Sequence, residues 1–460
     1  MYKIIFCLFL FVTATLHAAT GKWPSKVTGH DIVYKVTEAK APFKDHTGKY
    51  ATVVYLENLN IKKIGRNSNA KNVAWLCAQG YRVIELNYAG NPNTVSPFIN
   101  DDIIAINDAI AAGSFCGLND CSLYRSYVLF EGYRMTRDIP YFVDDPSVYN
   151  TPAEYKQGDT LHMDLIYPAN AAVKVPVIIS FSYSNSYATY DAKRKQLTSD
   201  NKDQRLNLPY TLAGFNDSFL EGAPANGIAW AIADHPKYCP WGKGKPVNGP
   251  NDAYKSFQTN PDAAQKVKSA IRTLRKLGNS LGLSGKIGVF GFSRGATAGS
   301  LAIGDKQVPG FENAGFNRAI ASNVQAAALG PGVFDYTQIY NAANDGDGNL
   351  ETRCPLVWGP LQTNYERWLS MGAAGLVQSS RTAPVFFFYN TDDEKYYQQQ
   401  LKHFKARLDS LNVPNTTLVN YGTGHSVPQT GKDLGQLYTF YKQYLTPPAV
   451  IPGKKAKRLK

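Results

Sequence analysis

The chain has 460 residues, of which 44% are hydrophobic and 18% charged. That mix can bury a large core, spread over two or three domains, and excludes a disordered chain. The net charge of +13 at pH 7 favours anionic partners, yet no stretch carries a nucleic-acid-reading motif. Residues 1–19 have the layout of a secretory signal. Lys3 gives a positive start, Ile4 to Leu16 is apolar, and Ala18 and Ala19 offer small residues for cleavage. The apolar run is too short to span a membrane, so the expected location is secreted or periplasmic. Beyond Cys7 the cysteines are Cys77, Cys116, Cys121, Cys239 and Cys354. In an oxidising compartment Cys116 and Cys121 are candidates to close a small loop. Cys239 and Cys354 are candidates for a second pair, with Cys77 buried in a helix. Their spacings do not match a zinc site.

Residues 20–150 are expected to form an N-terminal α/β extension. Apolar runs at 51–57, 81–88 and 126–131 predict strands. A helix is predicted over 70–79, ended by Gly80, and another from Asn100 onward. No nucleophile motif occurs there. A second α/β pattern fills 151–446. Strands are predicted at 160–167, 175–182 and 227–234. Asn260 and Pro261 then open a helix that carries Val267, Ile271, Leu274 and Leu277 on one face and ends at Gly278. The apolar run 286–292 follows and stops at Gly291-Phe292-Ser293-Arg294-Gly295, after which small residues begin a helix. Residues 318–323 are predicted as the next strand. The stretch 328–380 holds Phe334, Tyr336, Tyr340, Trp358, Tyr365 and Trp368 and reads as a cap-like insertion over a site. Packing among these aromatics is the alternative use. A strand at 383–389 ends in Asn390-Thr391-Asp392-Asp393-Glu394. A helix with Leu401, Phe404, Leu408 and Leu411 follows, then a strand at 416–421. It leads into Gly422-Thr423-Gly424-His425, and a final helix carries Leu434, Leu437 and Phe440. The tail 447–460 is Pro-rich and then basic, with five of the net charges, and is expected to be disordered.

The chemistry centres on Ser293. Gly-x-Ser-x-Gly between a strand and a helix is the form of a nucleophile elbow, in which the two glycines remove Cβ atoms from a tight turn. A serine hydroxyl is inert until a base takes its proton, histidine has a suited pKa, and a carboxylate fixes the histidine tautomer. Ser293, Asp393 and His425 occur in that order, each just after a predicted strand, where parallel sheets place their sites. Asp392 is the other candidate acid. His403 reads as a solvated residue of its helix, and His235 as a structural one, with lining the pocket as the alternative. Asn344 to Asn349 begins like a calcium loop but lacks the closing Glu, so it reads as a polar turn. No metal or organic cofactor is expected.

On these motifs the chain from about 158 to 445 resembles the α/β-hydrolase superfamily, and within it secreted carbohydrate esterases of the acetyl-xylan, feruloyl or pectin-ester type. Leu161 to Pro168 is similar to the opening strand of acetyl-xylan and feruloyl esterases. The resemblance implies an α/β-hydrolase fold, a mostly parallel sheet flanked by helices, with the N-terminal α/β extension and the cap-like insertion as additions. It also implies that Asp393 is the acid, since Asn390 stands where the family's acid motif has Gly. The arginine after the serine is similar to that of glucuronoyl esterases, which implies a contribution of Arg294 at the oxyanion. The family's His-Gly-Gly-Gly loop is replaced by residues 182–187, so the second oxyanion donor is expected near Tyr183 or Ser184. The implied activity is a serine carboxylic-ester hydrolase acting on polysaccharide or oligosaccharide esters, with a slight tilt towards acidic, pectin-like glycan. Two other readings are a prolyl-oligopeptidase-like peptidase, for which 20–150 is too short to hold a propeller, and a non-catalytic glycan-binding protein. The oligomeric state is not legible.

Overall fold

The computed structural model of the protein describes residues 18–24, 31–45, 47–56, 69–87, 109, 118, 120–125, 132–143, 160–169, 173–181, 189–191, 196–198, 222–234, 236, 262–308, 310–338, 358–428 and 431–446. The chain divides into two compact units, residues 1–127 and 128–460. Among the described residues no helix is long and apolar enough to cross a membrane.

The smaller unit is a five-stranded sheet with a helix. Its elements are β1 (Ala18–Pro24), β2 (Asp31–Thr37), β3 (Tyr50–Leu56), α1 (Asn69–Ala78), β4 (Arg82–Asn87) and β5 (Cys121–Arg125). The order across the sheet is β1-β2-β4-β3-β5, with β3 parallel to both β4 and β5. From Asp31 to Val36 β2 alternates, Ile32, Tyr34 and Val36 buried and Asp31, Val33 and Lys35 exposed, as a strand with one covered face does. Gly80 takes φ 94 beyond α1, so the chain leaves the helix where only glycine turns freely. The strand expected at 126–131 lies outside the described residues; β5 at 121–125 precedes it. One expectation is corrected here. Cys121 is a free, buried thiol, so it closes no loop with Cys116. On β5 its sulfur faces the Arg82 guanidinium, which donates to it from β4. Cys77 is free and buried in α1 as expected, while Cys116, Cys239 and Cys354 lie outside the described residues, as does the helix expected from Asn100 apart from Ala109.

The larger unit is an α/β structure around an eight-stranded mixed sheet. Its strands are β6 (Tyr133–Val143), β7 (Thr160–Pro168), β8 (Val175–Phe181), β11 (Ala229–Ala233), β12 (Leu283–Gly291), β13 (Ala326–Leu329), β14 (Val385–Tyr389) and β15 (Asn415–Val419); a separate small ribbon pairs β9 (Thr189–Asp191) with β10 (Gln196–Thr198). The order is β15-β14-β13-β12-β8-β11-β7-β6. From β11 to β15 neighbours run parallel, and β7 and β6 close one edge antiparallel. The chain thus enters this sheet at β6, inside the stretch 20–150 assigned to the extension. β8 and β11 are buried at every position, the mark of parallel strands covered on both faces.

Among the described residues the helices of this unit include α2 (Asp262–Leu281), α3 (Arg294–Ser300), α4 (Tyr365–Leu369), α5 (Lys395–Ser410) and α6 (Gly431–Leu445). One face of the sheet, with Val177, Ile179, Val289, Val385 and Phe387, packs Val267, Ile271 and Leu274 of α2 and Leu401, Phe404 and Leu408 of α5. Each such fully buried side chain contributes roughly 1.5–3 kcal/mol. The opposite face takes α6. A Cβ at Gly288 would lie 2.8 Å from the Tyr441 ring, and the Tyr441 hydroxyl donates to the Val289 carbonyl at 2.6 Å. α2 runs through Gly278 and stops at Leu281, because Gly282 (φ 73) provides the turn. The strand expected at 318–323 is instead β13 at 326–329. Its alanines, fully buried between β12 and β14, leave room for the layers above and below.

Candidate active site

The apolar strand β12 delivers Ser293 into a backbone conformation of φ 54, ψ −125. Among the described residues the other non-glycine residues at positive φ are asparagines, Asn317, Asn412 and Asn420. A serine there costs roughly 1–3 kcal/mol and persists only where its surroundings hold it. Three features hold it. The Ser293 carbonyl accepts from the Ala296 and Thr297 amides at 2.9 and 3.2 Å, starting α3 at once. Gly291 lets α3 fold back on the strand, since a Cβ there would lie 2.4 Å from the Ala296 Cα. Gly332, beyond β13, passes so near that its Cβ would lie 3.1 Å from the Ser293 carbonyl. Ser293 and Arg294 are each half-buried, and Arg294 opens α3.

The buried strand β14 delivers the acid. Asp393 is buried, and its carboxylate faces the His425 Nδ1 at 3.1 Å from Oδ1 and 3.2 Å from Oδ2. Oδ1 also accepts the Glu394 amide at 2.7 Å. Asp392 is exposed and turned to the Gly424 amide at 2.8 Å. Of the two candidate acids, then, Asp393 meets the imidazole and Asp392 braces the histidine loop.

That bracing has a second member that the sequence reading passed over. Asn390 is fully buried; its amide donates to the Gly424 carbonyl (2.9 Å) and Ser426 Oγ (3.0 Å), and its oxygen accepts the Gly422 amide (3.0 Å). Glycine at this position would leave those loop groups without these bonds. The Tyr421 hydroxyl closes the loop on the Ser426 carbonyl at 2.6 Å, and burial, with the charges of Asp393 and Asp433 adding, pushes its ionisation well up. It serves as a neutral donor.

His425 keeps 30% of its side chain exposed. Phe292, the residue before the serine, packs against the imidazole with ring centroids 4.7 Å apart, and Tyr397 of α5 stacks on it at 5.0 Å and 27°. The contact with Phe292 brings the histidine to the elbow. Among the described residues no hydrogen bond joins Ser293 Oγ to His425. Tyr183, Ser184, His235, Tyr340 and the Asn344–Asn349 turn lie outside the described residues.

His403 is partly exposed, as expected, and also has a partner. Its Nε2 lies 3.1 Å from Oδ2 of the buried Asp335. The aromatics of 328–380 also turn inward. Tyr336, Trp358 and Trp368 form a buried cluster with Met371 and Tyr396, Phe334 stacks on Phe404 in the main core, and Tyr365 is exposed. They pack as a small core against α5. The cluster meets the site through its neighbour Tyr397.

No family model matches the chain, and no curated protein matches it. Solved structures are similar to it at low identity. An acetyl ester-xyloside bifunctional hydrolase from Caldicellulosiruptor lactoaceticus is 16% identical over 67% of this chain and 96% of its own, with a TM-score of 0.42. A truncated carbohydrate esterase from gut microbiota is 16% identical over 68% and 97%, with a TM-score of 0.43. An esterase from Thermogutta terrifontis is 16% identical over 65% and 96%, with a TM-score of 0.40. The likeness is coarse, and what the site can do follows from its own geometry.

Proposed function

We propose that the larger unit is an α/β-hydrolase-type serine carboxylic-ester hydrolase that removes acetyl, feruloyl or uronate methyl groups from polysaccharide. The observation that carries this reading is the strained Ser293, at φ 54 on the strand-to-helix turn, beside a histidine whose Nδ1 meets the buried Asp393. Strain at a serine where glycine would sit at ease is a feature of sites rather than of turns.

In this reading the Ser293 Oγ attacks the ester carbonyl and His425 Nε2 takes its proton. The carbonyl electron pair moves onto oxygen, then returns as the bond to the alcohol breaks, and His425 gives the proton to that alcohol. Water then attacks the acyl-serine; His425 takes one of its protons and returns it to Ser293, releasing the acid. Asp393 fixes the tautomer and stabilises the imidazolium. The Arg294 amide supplies one oxyanion donor, and the 182–187 loop, near Tyr183 or Ser184, the second, each contributing about 3–4 kcal/mol to transition-state binding. The signal-like start at 1–19 supports export, and the net charge of +13 supports an acidic glycan.

A panel of acetylated xylan, feruloylated oligosaccharide and methyl-esterified polyuronate, run on wild type and Ser293→Ala, tests the reading. Wild type is expected to hydrolyse at least one, and Ser293→Ala to lose about 10⁴-fold or more of kcat/KM. A fluorophosphonate is expected to label Ser293 alone. Full activity in Ser293→Ala would sink the reading. Hydrolysis of acetyl-xylan without any of polyuronate would remove the acidic-glycan part.

A further inference from the structure

Asp393 constrains one edge of the His425 ring and leaves another motion open. A hydrogen bond at Nδ1 fixes the direction of that atom, but the imidazole can still tilt about the Nδ1···carboxylate line, because its terminal torsion is soft. Tilting swings Nε2, on the far side of the ring, away from the elbow. What opposes a tilt is contact on the ring face, and the structure supplies it. Tyr397 lies four residues after Asp393, in the first turn of α5, and stacks on the imidazole with planes 27° apart. Its own ring is held in turn. Tyr396 beside it is buried in the Trp358–Trp368 cluster, Tyr397 packs against that cluster, and the two tyrosine rings lie 5.4 Å apart.

Resting on the Ser-His-Asp reading above, we propose that Tyr397 is a positioning residue for His425. Its ring holds the imidazole in the plane that keeps Nδ1 on Asp393 and Nε2 towards the elbow. Its electron-rich face also meets the positive charge that the ring gains on taking the serine proton. The aromatic part of 328–380 thereby acts on the site from behind, by fixing Tyr397. The ionisable groups on the elements around the imidazole include Asp392, Asp393 and Glu394 on the β14–α5 loop, Lys395 and Tyr396 in the first turn of α5, Arg294 at the head of α3, Tyr421 after β15 and Asp433 near that tyrosine.

The test uses the full chain with 4-nitrophenyl acetate and compares wild type, Tyr397→Phe and Tyr397→Leu. Phe keeps the ring and is expected to stay within about twofold of wild-type kcat. Leu keeps bulk without the ring; kcat is expected to fall about tenfold with KM within about twofold, and the acid limb of the kcat/KM profile to move to lower pH. A Leu variant with the wild-type rate and acid limb overturns the proposal. So does a loss shared equally by Phe and Leu, which would assign the effect to the hydroxyl, and so does a slower Leu variant with an unmoved acid limb, which would reduce Tyr397 to packing. Titration of the His425 ring by NMR in the Ser293→Ala background, with and without Tyr397→Leu, reads the same contact without turnover. A ring titration unchanged by Tyr397→Leu overturns the proposal even where no ester is found, whereas activity retained in Ser293→Ala sinks only the esterase reading on which it rests.

Discussion

Two histidines of the larger unit lean on buried aspartates, and they do so with different nitrogens. His403 presents Nε2 to Asp335, while His425 presents Nδ1 to Asp393. A ring braced at Nε2 has its outer tip committed and its remaining nitrogen turned back to its own backbone. A ring braced at Nδ1 has its outer tip available for proton transfer. The carboxylates differ in the same way. Asp335 Oδ1 accepts both the amide and the hydroxyl of Thr337, at 2.9 and 2.6 Å, and ties down its own turn. Asp393 has both oxygens within 3.2 Å of the imidazole. A histidine–aspartate pair is therefore not itself a signature of catalysis; the nitrogen used, and what stands at the other one, decides.

The largest expected effect separates the adjacent aspartates. Asp393→Asn keeps the shape of the acid but offers an amide to Nδ1, which favours the wrong tautomer. kcat on the best ester of the panel is expected to fall by about 10³–10⁴-fold. Asp392→Asn can still accept the Gly424 amide and is expected to stay within about threefold. Equal losses in the two variants would mean that the loop as a whole, rather than the carboxylate facing His425, supports the reaction.

An intermediate effect is expected at Asp305, a nearly buried aspartate with no histidine. Burial alone would raise its carboxyl, but the Ser379 hydroxyl (2.5 Å), the Gln378 amide (2.8 Å), the Thr382 hydroxyl (2.9 Å) and the Ser379 amide (3.3 Å) outweigh it and bring the pKa down to about 2. The folded value lies below the ordinary 3.8, so the stabilisation is present above that pH and is lost as pH falls towards 2. It amounts to about 2 kcal/mol. Asp305→Asn is expected to lose that much at pH 7 in denaturant titrations and to flatten the decline between about pH 4 and pH 2. An unchanged acid limb would show that these bonds do not distinguish the two protonation states. The Asp305 carboxylate ties down the segment 378–382 and meets no histidine among these partners, so activity in the folded variant is expected to hold.

How much of this the sequence carried depends on the range of each signal. The elbow is local: an apolar strand, Gly291, Ser293 and Gly295 within five residues, and small residues after them. It is legible for that reason, as are β14, β15 and the loops that end them. β13 was misplaced because its alanines have weak strand propensity, and only the neighbours on either side make a strand of them. β6 was assigned to the wrong unit because Arg134, Arg137, Asp138 and Pro140 interrupt its apolar pattern. An edge strand tolerates such residues, and its pairing with β7 shifts register around them. Asn390 and Tyr397 were missed for another reason. Their partners lie about thirty residues further along the chain, and neither type announces its role. For 328–380 the sequence leaves a cap and packing among the aromatics as alternatives, because the burial of Trp358 and Trp368 is a fact of tertiary packing.

The smallest expected effect returns to the second pair. His403 is 40% exposed in its side chain, and its bond to Asp335 is one of several that hold residues 334–338 on α5. Gln400 accepts the Phe334 and Asp335 amides and donates to the Asp335 carbonyl. His403→Gln keeps a donor within reach and is expected to cost under about 1 kcal/mol of stability, with kcat within about twofold of wild type. Urea titration and the ester assay on the same preparation check both. A large loss of kcat at normal stability would mean that the stretch braced by Asp335 reaches the reaction after all. The contrast between the two histidines would then lie in their distance from Ser293 rather than in the nitrogen each presents.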